Sequence, residues 1–281
     1  MALWAELDVA LADEFRDGNT PAIQEPLALT KRAFEALPAT VKEYYFRGDA
    51  ACYEQDLLDW LRHEERAEGP QGKIGFAVSA PLTAPLKQRI LELTESEWKP
   101  YREDAEALLQ CAELAYCPEQ KAADGARRAL RYVAIRVLKK QGELFVDGES
   151  AKRFAVATNL DWQAKRLLEW HREKAGSIEA LHDVLKNELA AGVLPCGRFG
   201  ANAAWLRLSA LTHNVLTAMK RLALPPELLR ARPKRLRFLV FAQPGKLVRH
   251  ARQLKLRLRR AWRRFSNWSW AFEQLPVAAP G

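Results

Sequence analysis

Residues 46–65 read FRGDAACYEQDLLDWLRHEE, and this stretch joins a strand-like run to an amphipathic helix. The apolar and aromatic run Val41 to Phe46 predicts a strand that stops at Arg47-Gly48, and Asp49 follows directly. A helix is expected from about residue 54 to 66, with an apolar face made by Leu57, Leu58, Trp60 and Leu61. Asp after Gly is ordinary turn chemistry. On this stretch alone a turn is the favoured interpretation, and the reason for a carboxylate at the mouth of a buried strand stays open.

Composition favours a folded protein with one large domain or two smaller ones. The chain has 281 residues, 48% hydrophobic content and nine tryptophans. No run of eighteen apolar residues is present, so no membrane span is expected. The first residues, MALWAELDVALADEF, carry acids where a secretion signal has lysine or arginine. The four cysteines are scattered and do not have zinc-ligand spacing, which is typical of reduced structural thiols in a cytosolic protein.

Positive charge is concentrated near the C-terminus. The net charge is +9, yet residues 229–271 contain 14 Lys or Arg and no Asp or Glu, which leaves 30 basic and 35 acidic residues elsewhere. Such a block suits a polyanion, because neutralising phosphates releases counterions. Interleaved Leu, Val, Phe and Trp favour a folded or docking element over a solvated tail. Nucleic acid is the preferred partner and an anionic membrane surface the second; the candidate DNA contacts are Arg249, Arg252, Lys255 and Arg257.

The order of predicted elements indicates an α/β core interrupted midway. Strands are expected in residues 2–16 and up to Asp49, and four more in the strand-rich stretch 73–150, which a helix at 84–93 interrupts. A buried strand at 153–161 leads to a long helix, which Asp161 is expected to cap and which runs to about Leu189. A second long helix, residues 201–223, is apolar enough to be largely buried. Another short helix is expected at 27–37.

The long helix carries a row of charged residues. Ile178, Leu181, Leu185 and Leu189 are expected to form its buried stripe. Arg172, Glu179 and Lys186 are seven residues apart, which on one helix places them in a row at the border of that stripe. A carboxylate between two cations suits a metal ion that carries phosphates, but for an isolated helix an ordinary ladder of surface ion pairs is the favoured interpretation. His182 and Asp183 are interpreted as surface residues or as residues behind the site.

Five ordered blocks, taken together, resemble a known family. They are DEFRDGNTPA, FRGDAACYEQDLLDWL, GFAVSA, KAGSIEALHDVLKNEL and LPCGRFGANAAWLRLSALTHNVLTAMKRLAL. Over about residues 2–260 the chain is similar to bacterial insertion-sequence transposases of the family numbered 1380, which are DDE transposases. The resemblance implies a ribonuclease H-like α/β core with a strand-rich insertion between the second Asp and the Glu, followed by a helical, basic C-terminal region. The implied domains are a partial core (1–65), the insertion (66–150), the rest of the core (151–190), a buried helix region (191–228) and a DNA-binding segment (229–281).

The resemblance also implies the site. Asp49 is then the second and Glu179 the third catalytic acid, and both bind two divalent cations, Mg²⁺ or Mn²⁺. Of the family's Tyr-x2-Arg-x3-Glu-x6-Lys signature, Glu179 and Lys186 match. Arg172 stands at the Tyr position and Ala175 at the Arg position, so Arg172 and Lys174 are expected to supply the positive charge.

The family's first Asp lies on a strand upstream of the first matching block. Asp8, Asp13 and Asp17 fall on the following hairpin and are not assigned to that role. The chain is therefore expected to be an N-terminally truncated, inactive transposase in the bacterial cytoplasm, associated with the nucleoid. Its partner would be double-stranded DNA, both element ends and target, with a homo-oligomer in the DNA complex. The rival hypotheses are an active enzyme that receives its first Asp from upstream sequence or from another subunit and a non-catalytic DNA-binding remnant. An unrelated membrane-associating protein ranks last.

Overall fold

The computed structural model describes residues 1–19, 25–119, 125, 127–140, 145, 150–242, 244–258, 269–270 and 273–274. They form two units: the sheet unit, Arg16–Ser177, and the terminal unit, Met1–Phe15 with Ile178–Gly281. The strands are β1 Ala2–Trp4, β2 Val9–Ala12, β3 Tyr44–Gly48, β4 Ile74–Ala80, β5 Lys99–Glu103, β6 Ala107–Tyr116, β7 Leu130–Lys139, β8 Ala151–Thr158, β9 Gly245–His250 and β10 Gln253–Leu258. The helices are α1 Pro26–Glu35, α2 Gln55–Arg62, α3 Ala84–Leu91, α4 Ala164–Arg172, α5 Ser177–Asn187, α6 Phe199–Ala223 and α7 Pro233–Leu236.

One mixed sheet of six strands, in the order β3-β4-β8-β7-β6-β5, organises the sheet unit. β3 and β4 are parallel, and every other neighbouring pair is antiparallel. The strands predicted in the opening stretch, in the strand-rich stretch and at 153–161 therefore belong to a single sheet. β5 is additional to the prediction. The strand expected at 142–149 lies outside the described residues, apart from Phe145.

Both faces of this sheet are covered. In β4, Phe76 and Val78 point to one face and Ala77 to the other, as the two-residue period of a strand requires. Leucines of α2 and α3 pack on the first face, where Leu57, Leu58 and Leu61 are fully buried. Leu167 and Leu168 of α4 cover the second face. The apolar helix face predicted after Asp49 is thus confirmed.

The single long helix predicted from 161 to 189 is wrong. The chain instead forms α4 and α5, and Gly176 lies between them with φ +85°, a left-handed conformation that ends α-helical geometry. Asp161 does not cap α4, since the N-cap position is Gln163. Arg172 is therefore on a different helix from Glu179 and Lys186, and the three do not form one row. Of the predicted stripe, Leu181 and Leu185 are buried as expected.

In the terminal unit, the predicted hairpin at the start of the chain is present as β1 and β2, and it packs on α6. The side-chain amide of Asn214 behaves like a neighbouring strand: it accepts a hydrogen bond from Ala10 N (2.8 Å) and donates one to Ala10 O (2.8 Å). Nε2 of buried His213 lies 3.0 Å from Asp8 O. These contacts fix one face of the long helix.

Two predictions for the C-terminal half need correction. α6 has the expected length, but it is not largely buried: Leu208, Leu211, Val215 and Leu222 are exposed. The basic segment was expected to be helical, and it begins with α7 and a π-helical turn, Arg237–Phe241; over residues 245–258, however, β9 and β10 pair as an antiparallel hairpin, and residues 259–268 lie outside the described residues. Lys-Leu-Val-Arg-His and Gln-Leu-Lys-Leu-Arg-Leu alternate with the period of a strand, and Ala251 and Arg252 both adopt positive φ, as a two-residue hairpin turn requires. In the part of the chain that is described, no helix combines the length and apolarity needed to cross a bilayer.

Candidate active site and nucleic-acid interface

Asp49 stands directly after β3, at the strand end predicted from the sequence. Its side chain is exposed, and Oδ1 accepts a hydrogen bond from Ala51 N at 3.0 Å. The backbone of Asp49 is extended, and it caps a short 3₁₀ turn, Ala50–Cys52. The capping contact fixes the orientation of the carboxylate. The turn and ligand interpretations are therefore compatible, since the turn is what presents the carboxylate to solvent.

Gly48 explains why a glycine precedes this carboxylate. The turn folds back so tightly that a Cβ on Gly48 would lie 2.6 Å from Cβ and 3.0 Å from Sγ of Cys52. It would also lie 3.2 Å from the Phe46 ring. The first distance is far below van der Waals contact, so only glycine fits without displacing the turn that carries Asp49.

Arg47 ties the same strand end to α4. Its Nη1 donates to Trp170 O at 2.6 Å and to Glu173 Oε2 at 3.0 Å, and the guanidinium lies 5.0 Å from the centroid of the Trp170 ring. Three bonding modes on one side chain restrain β3 relative to the C-terminal end of α4. Arg47 therefore has a structural role, and the sequence interpretation gave it none.

The thiol of Cys52, beside Asp49, is protonated, and the imidazole of His171 on α4 is neutral. Burial, followed by the negative charge of Asp49, raises the pKa of Cys52 to about 11, so this cysteine is a thiol at neutral pH and a poor metal ligand. Burial lowers the pKa of His171 to about 4, and the charge of Lys174 acts in the same direction. His171 Nε2 lies 3.0 Å from Ser79 Oγ. Lys174 acts electrostatically on both Cys52 and His171, which places this predicted DNA-contact cation close to the Asp49 turn.

Arg172, the other predicted contact on this side, is exposed and lines a cleft of about 620 Å³ between β5 and α4. The cleft has basic and acidic walls: Tyr101, Arg102, Glu103, Lys165, Glu169, Arg172 and Glu173. Burial raises the pKa of Tyr101, and the charge and hydrogen bond of Arg172 oppose that rise. Arg172 is thus partnered within the sheet unit.

Glu179 occupies the first turn of α5, and Lys186 the last. Both side chains are exposed, while Leu181, Val184 and Leu185 hold the opposite face of α5 in the terminal unit. An acid near the N-terminus and a base near the C-terminus complement the helix dipole. Asp183 forms an ion pair with Arg232, and burial lowers the pKa of His182. The assignment of Asp183 to the surface is therefore consistent with its contacts.

The two predicted acids belong to different units, Asp49 to the sheet unit and Glu179 to the terminal unit. Their approach to each other stays a prediction. Among the described residues, no group of three or more His, Cys, Asp or Glu side chains is arranged to hold a metal ion. The donor type nevertheless fits, since both are exposed carboxylates and Mg²⁺ and Mn²⁺ prefer oxygen ligands.

The β9–β10 hairpin divides the predicted basic contacts between two faces. Lys246, Lys255 and Arg257 share one face, because Lys246 is opposite Arg257 and Lys255 is opposite Val248. Arg249 is on the other face, opposite Leu254, and Arg252 is in the turn. Leu247, Leu254 and Leu256 are all more than 60% exposed on the face of Arg249. The hairpin therefore has a cationic face and an apolar face, an arrangement that helical periodicity would not have shown.

Sequence reasoning also missed an aromatic cluster beside β3. The rings of Tyr45, Trp162 and Trp170 pack mutually with centroids 5.4–5.9 Å apart. Arg166 of α4 lies 4.2 Å from the Trp162 centroid. Trp162 and Trp170 both follow the predicted helix start at Asp161, so their eight-residue spacing was visible in the sequence, but their common partner Tyr45 is on a distant strand.

The sequence model of the family described as Transposase DDE domain group 1 matches residues 5–277. No curated protein matches the chain. The matched range includes Asp49, Glu179 and the β9–β10 hairpin, and covers nearly the whole chain.

Proposed function

The chain belongs to the transposases with a DDE domain of group 1, and on this premise we propose that it is an insertion-sequence transposase of the family numbered 1380. The reaction proposed is DNA strand cleavage and strand transfer by phosphoryl transfer. The observation that carries the proposal is the family match over residues 5–277, within which an exposed Asp follows a sheet strand as this chemistry requires. The mixed α/β architecture with its six-stranded sheet is consistent with a ribonuclease H-like fold.

In this proposal Asp49 and Glu179 are the metal-binding carboxylates. When bound, a pair of divalent cations activates the attacking oxygen and stabilises the leaving oxygen of the phosphodiester. Asp49 is suited to its part because its cap to Ala51 N and the glycine before it hold the carboxylate in one orientation. Glu179 is held by the buried face of α5, which leaves its carboxylate in solvent.

Basic residues near each acid would hold the DNA backbone. Lys186 shares α5 with Glu179, and Lys174 acts on the groups beside Asp49. Arg172 on α4 and the hairpin cations would supply further phosphate contacts. Phosphate contacts of this kind position the duplex without reading its sequence.

A third carboxylate is required, and it is not assigned to a residue of this chain. Asp13 is bound to Arg207 (3.1 Å), and Asp8 lies 3.5 Å from His213, so both are engaged with α6. Within the described sheet, β3 pairs only with β4. A strand added in parallel on the other side of β3 would end beside Asp49, which is where a further acid is needed.

Metal-directed cleavage of the protein backbone tests the site without requiring DNA chemistry. Fe²⁺ with ascorbate and peroxide breaks the backbone next to a bound ion, and mass spectrometry locates the breaks. We expect breaks near residues 49 and 179. Asp49→Asn and Glu179→Gln should each abolish both, while the control Asp161→Asn, an exposed acid after β8, should leave both. A break at 49 that persists in Glu179→Gln would contradict the shared site and favour the DNA-binding remnant.

A nicking assay addresses the third ligand. The 281-residue chain alone should not nick duplex DNA with Mg²⁺ or Mn²⁺, because an incomplete ligand set costs several kcal/mol of transition-state stabilisation, or orders of magnitude in rate. Robust nicking that Asp49→Ala and Glu179→Ala both abolish would instead identify Asp8, Asp13 or Asp17 as the third ligand.

A further inference from the structure

Helix α6 has one buried face and one exposed apolar face. Ser209, His213 and Thr217 lie on the buried face, which carries the contacts to β1 and β2. On the opposite side, about 180° away at 100° per residue, stands a set of exposed apolar residues. These residues are Ala201, Ala204, Leu208, Leu211, Val215, Ala218 and Leu222, here named the α6 seam.

The α6 seam is uncharged, continuous and exposed. All seven side chains are exposed, and Leu208, Leu211, Val215 and Leu222 are between 56% and 75% accessible. They recur at alternating spacings of three and four residues over three heptads, which is the period of a helix that pairs with another helix. At 1.5 Å per residue the seam is about 32 Å long. An uncharged exposed stripe of this length marks an interaction surface.

The length of the α6 seam and its self-complementary shape indicate which partner covers it. The other described helices have at most 11 residues, so none of them spans the seam, whereas α6 has 25. The seam also complements itself. If two copies of α6 pack antiparallel about a two-fold axis, Leu208 meets Ala218, Leu222 meets Ala204, and Leu211 meets Val215. In the two outer layers a large side chain therefore faces a small one, as close packing requires.

The residues beside the seam tolerate such pairing. On one flank are Thr212 and Trp205, which are uncharged, and Trp205 donates to Ala190 O at 2.9 Å. On the other flank Arg207 is paired with Asp13 at 3.1 Å, so its charge is offset before a second copy approaches. We infer that the α6 seam is a homodimer interface, occupied by the same seam of a second copy of this chain. The inference is independent of the catalytic proposal.

Sedimentation equilibrium of the full chain without DNA tests the interface. Wild type should be a reversible dimer, and Val215→Glu should raise the dimer dissociation constant by at least roughly 100-fold, because both copies would place a charge in the seam. The matched control is Val193→Glu, another exposed valine (74%, against 59% for Val215) outside the seam, which should leave the constant unchanged. Circular dichroism checks that each variant is folded.

A charge-swap experiment separates loss of the interface from loss of the fold. Val215→Glu and Val215→Lys chains should each be monomeric alone and should form mixed dimers when combined, detected by native mass spectrometry. A wild type that is monomeric at 100 µM would overturn the inference, and would favour coverage of the seam by another part of the same chain. A Val215→Glu chain that dimerises as tightly as wild type would overturn it too.

Discussion

Replacing Gly48 by alanine should damage the turn that presents Asp49. The added methyl group would lie 2.6 Å from Cβ of Cys52, and Cys52 cannot withdraw freely, because it is half-buried in the 3₁₀ turn that Asp49 caps. The neighbouring contact to Phe46, at 3.2 Å, is tight as well. The chain must therefore move the turn away from the strand end.

The cost follows from the packing. Forcing one extra methyl group into a filled site costs about 1–3 kcal/mol. In a protein of this size each kcal/mol lowers the melting temperature by about 2–4 °C, so Gly48→Ala should lower it by about 2–12 °C. The two closest contacts are with Cβ and Sγ of Cys52, so most of this cost should vanish in a Cys52→Gly background, where both atoms are absent. The two substitutions should thus show a coupling free energy of about 1 kcal/mol or more.

Urea unfolding and thermal melts of the four chains of this double-mutant cycle measure the coupling. Gly197→Ala is the matched control, because a Cβ there meets nothing within 4 Å. A Gly48→Ala chain as stable as the Gly197→Ala chain would refute the reasoning, as would a cost that Cys52→Gly leaves unchanged. Either result would mean that the turn beside Asp49 is loosely packed.

Three further predictions concern the buried polar groups and the hairpin. Because burial holds the pKa of His171 near 4, below its unfolded value, the unfolded state binds the extra proton, and the free energy of unfolding should fall as pH drops from about 6.5 to 4. In urea titrations His171→Gln should flatten this pH dependence, and an unchanged slope would contradict the prediction. Thr158→Val should lower the free energy of unfolding in urea by about 1–3 kcal/mol, because the fully buried Thr158 Oγ1 accepts a hydrogen bond from Leu160 N (3.0 Å) and donates one to Phe76 O (2.6 Å). The control Thr40→Val, at an exposed position, should leave stability nearly unchanged. Replacing Lys246, Lys255 and Arg257 together by Gln should lower the slope of log affinity for duplex DNA against log salt by about 2–3, whereas the exposed control set Lys42, Lys73 and Lys99 should not change it.

The strand and helix around Asp49 could be predicted because their signals are local. The aromatic run before Gly48 and the leucine spacing after it are short-range patterns, and β3 and α2 lie where these patterns place them. The tight approach of Cys52 to Gly48 was not predictable, because it depends on the turn geometry. The anchoring of Arg47 by Trp170 and Glu173 was hidden for a different reason, since more than 120 residues separate the partners.

The errors in the C-terminal half share one physical cause. Two patterns satisfy a helical period: charged residues spaced by seven across 172–186, and an apolar run across 201–223. Periodicity does not register a single left-handed glycine, and it does not say which face of a helix is covered. Gly176 interrupts the first pattern. In the second, the covered face carries Ser209, His213 and Thr217, and the apolar face opposite to it is exposed. In the basic segment the spacing of apolar residues changes from a helical to a strand period at Gly245. The prediction rested on the charge of this segment and therefore did not include the strands.

The two candidate carboxylates are held in place by separate sets of contacts. Asp49 is positioned by Gly48, Cys52 and the Arg47 anchor, all in the sheet unit. Glu179 is positioned by α5, whose Asp183 is bound to Arg232 within the terminal unit, next to the buried segment around α7. A substitution that loosens the Asp49 turn should therefore weaken metal-directed cleavage at both positions only if the two carboxylates share an ion. Gly48→Ala thus links the packing prediction to the catalytic proposal. The contacts of α5 itself would not explain a loss of backbone cleavage near 179 in that variant, whereas a shared ion would.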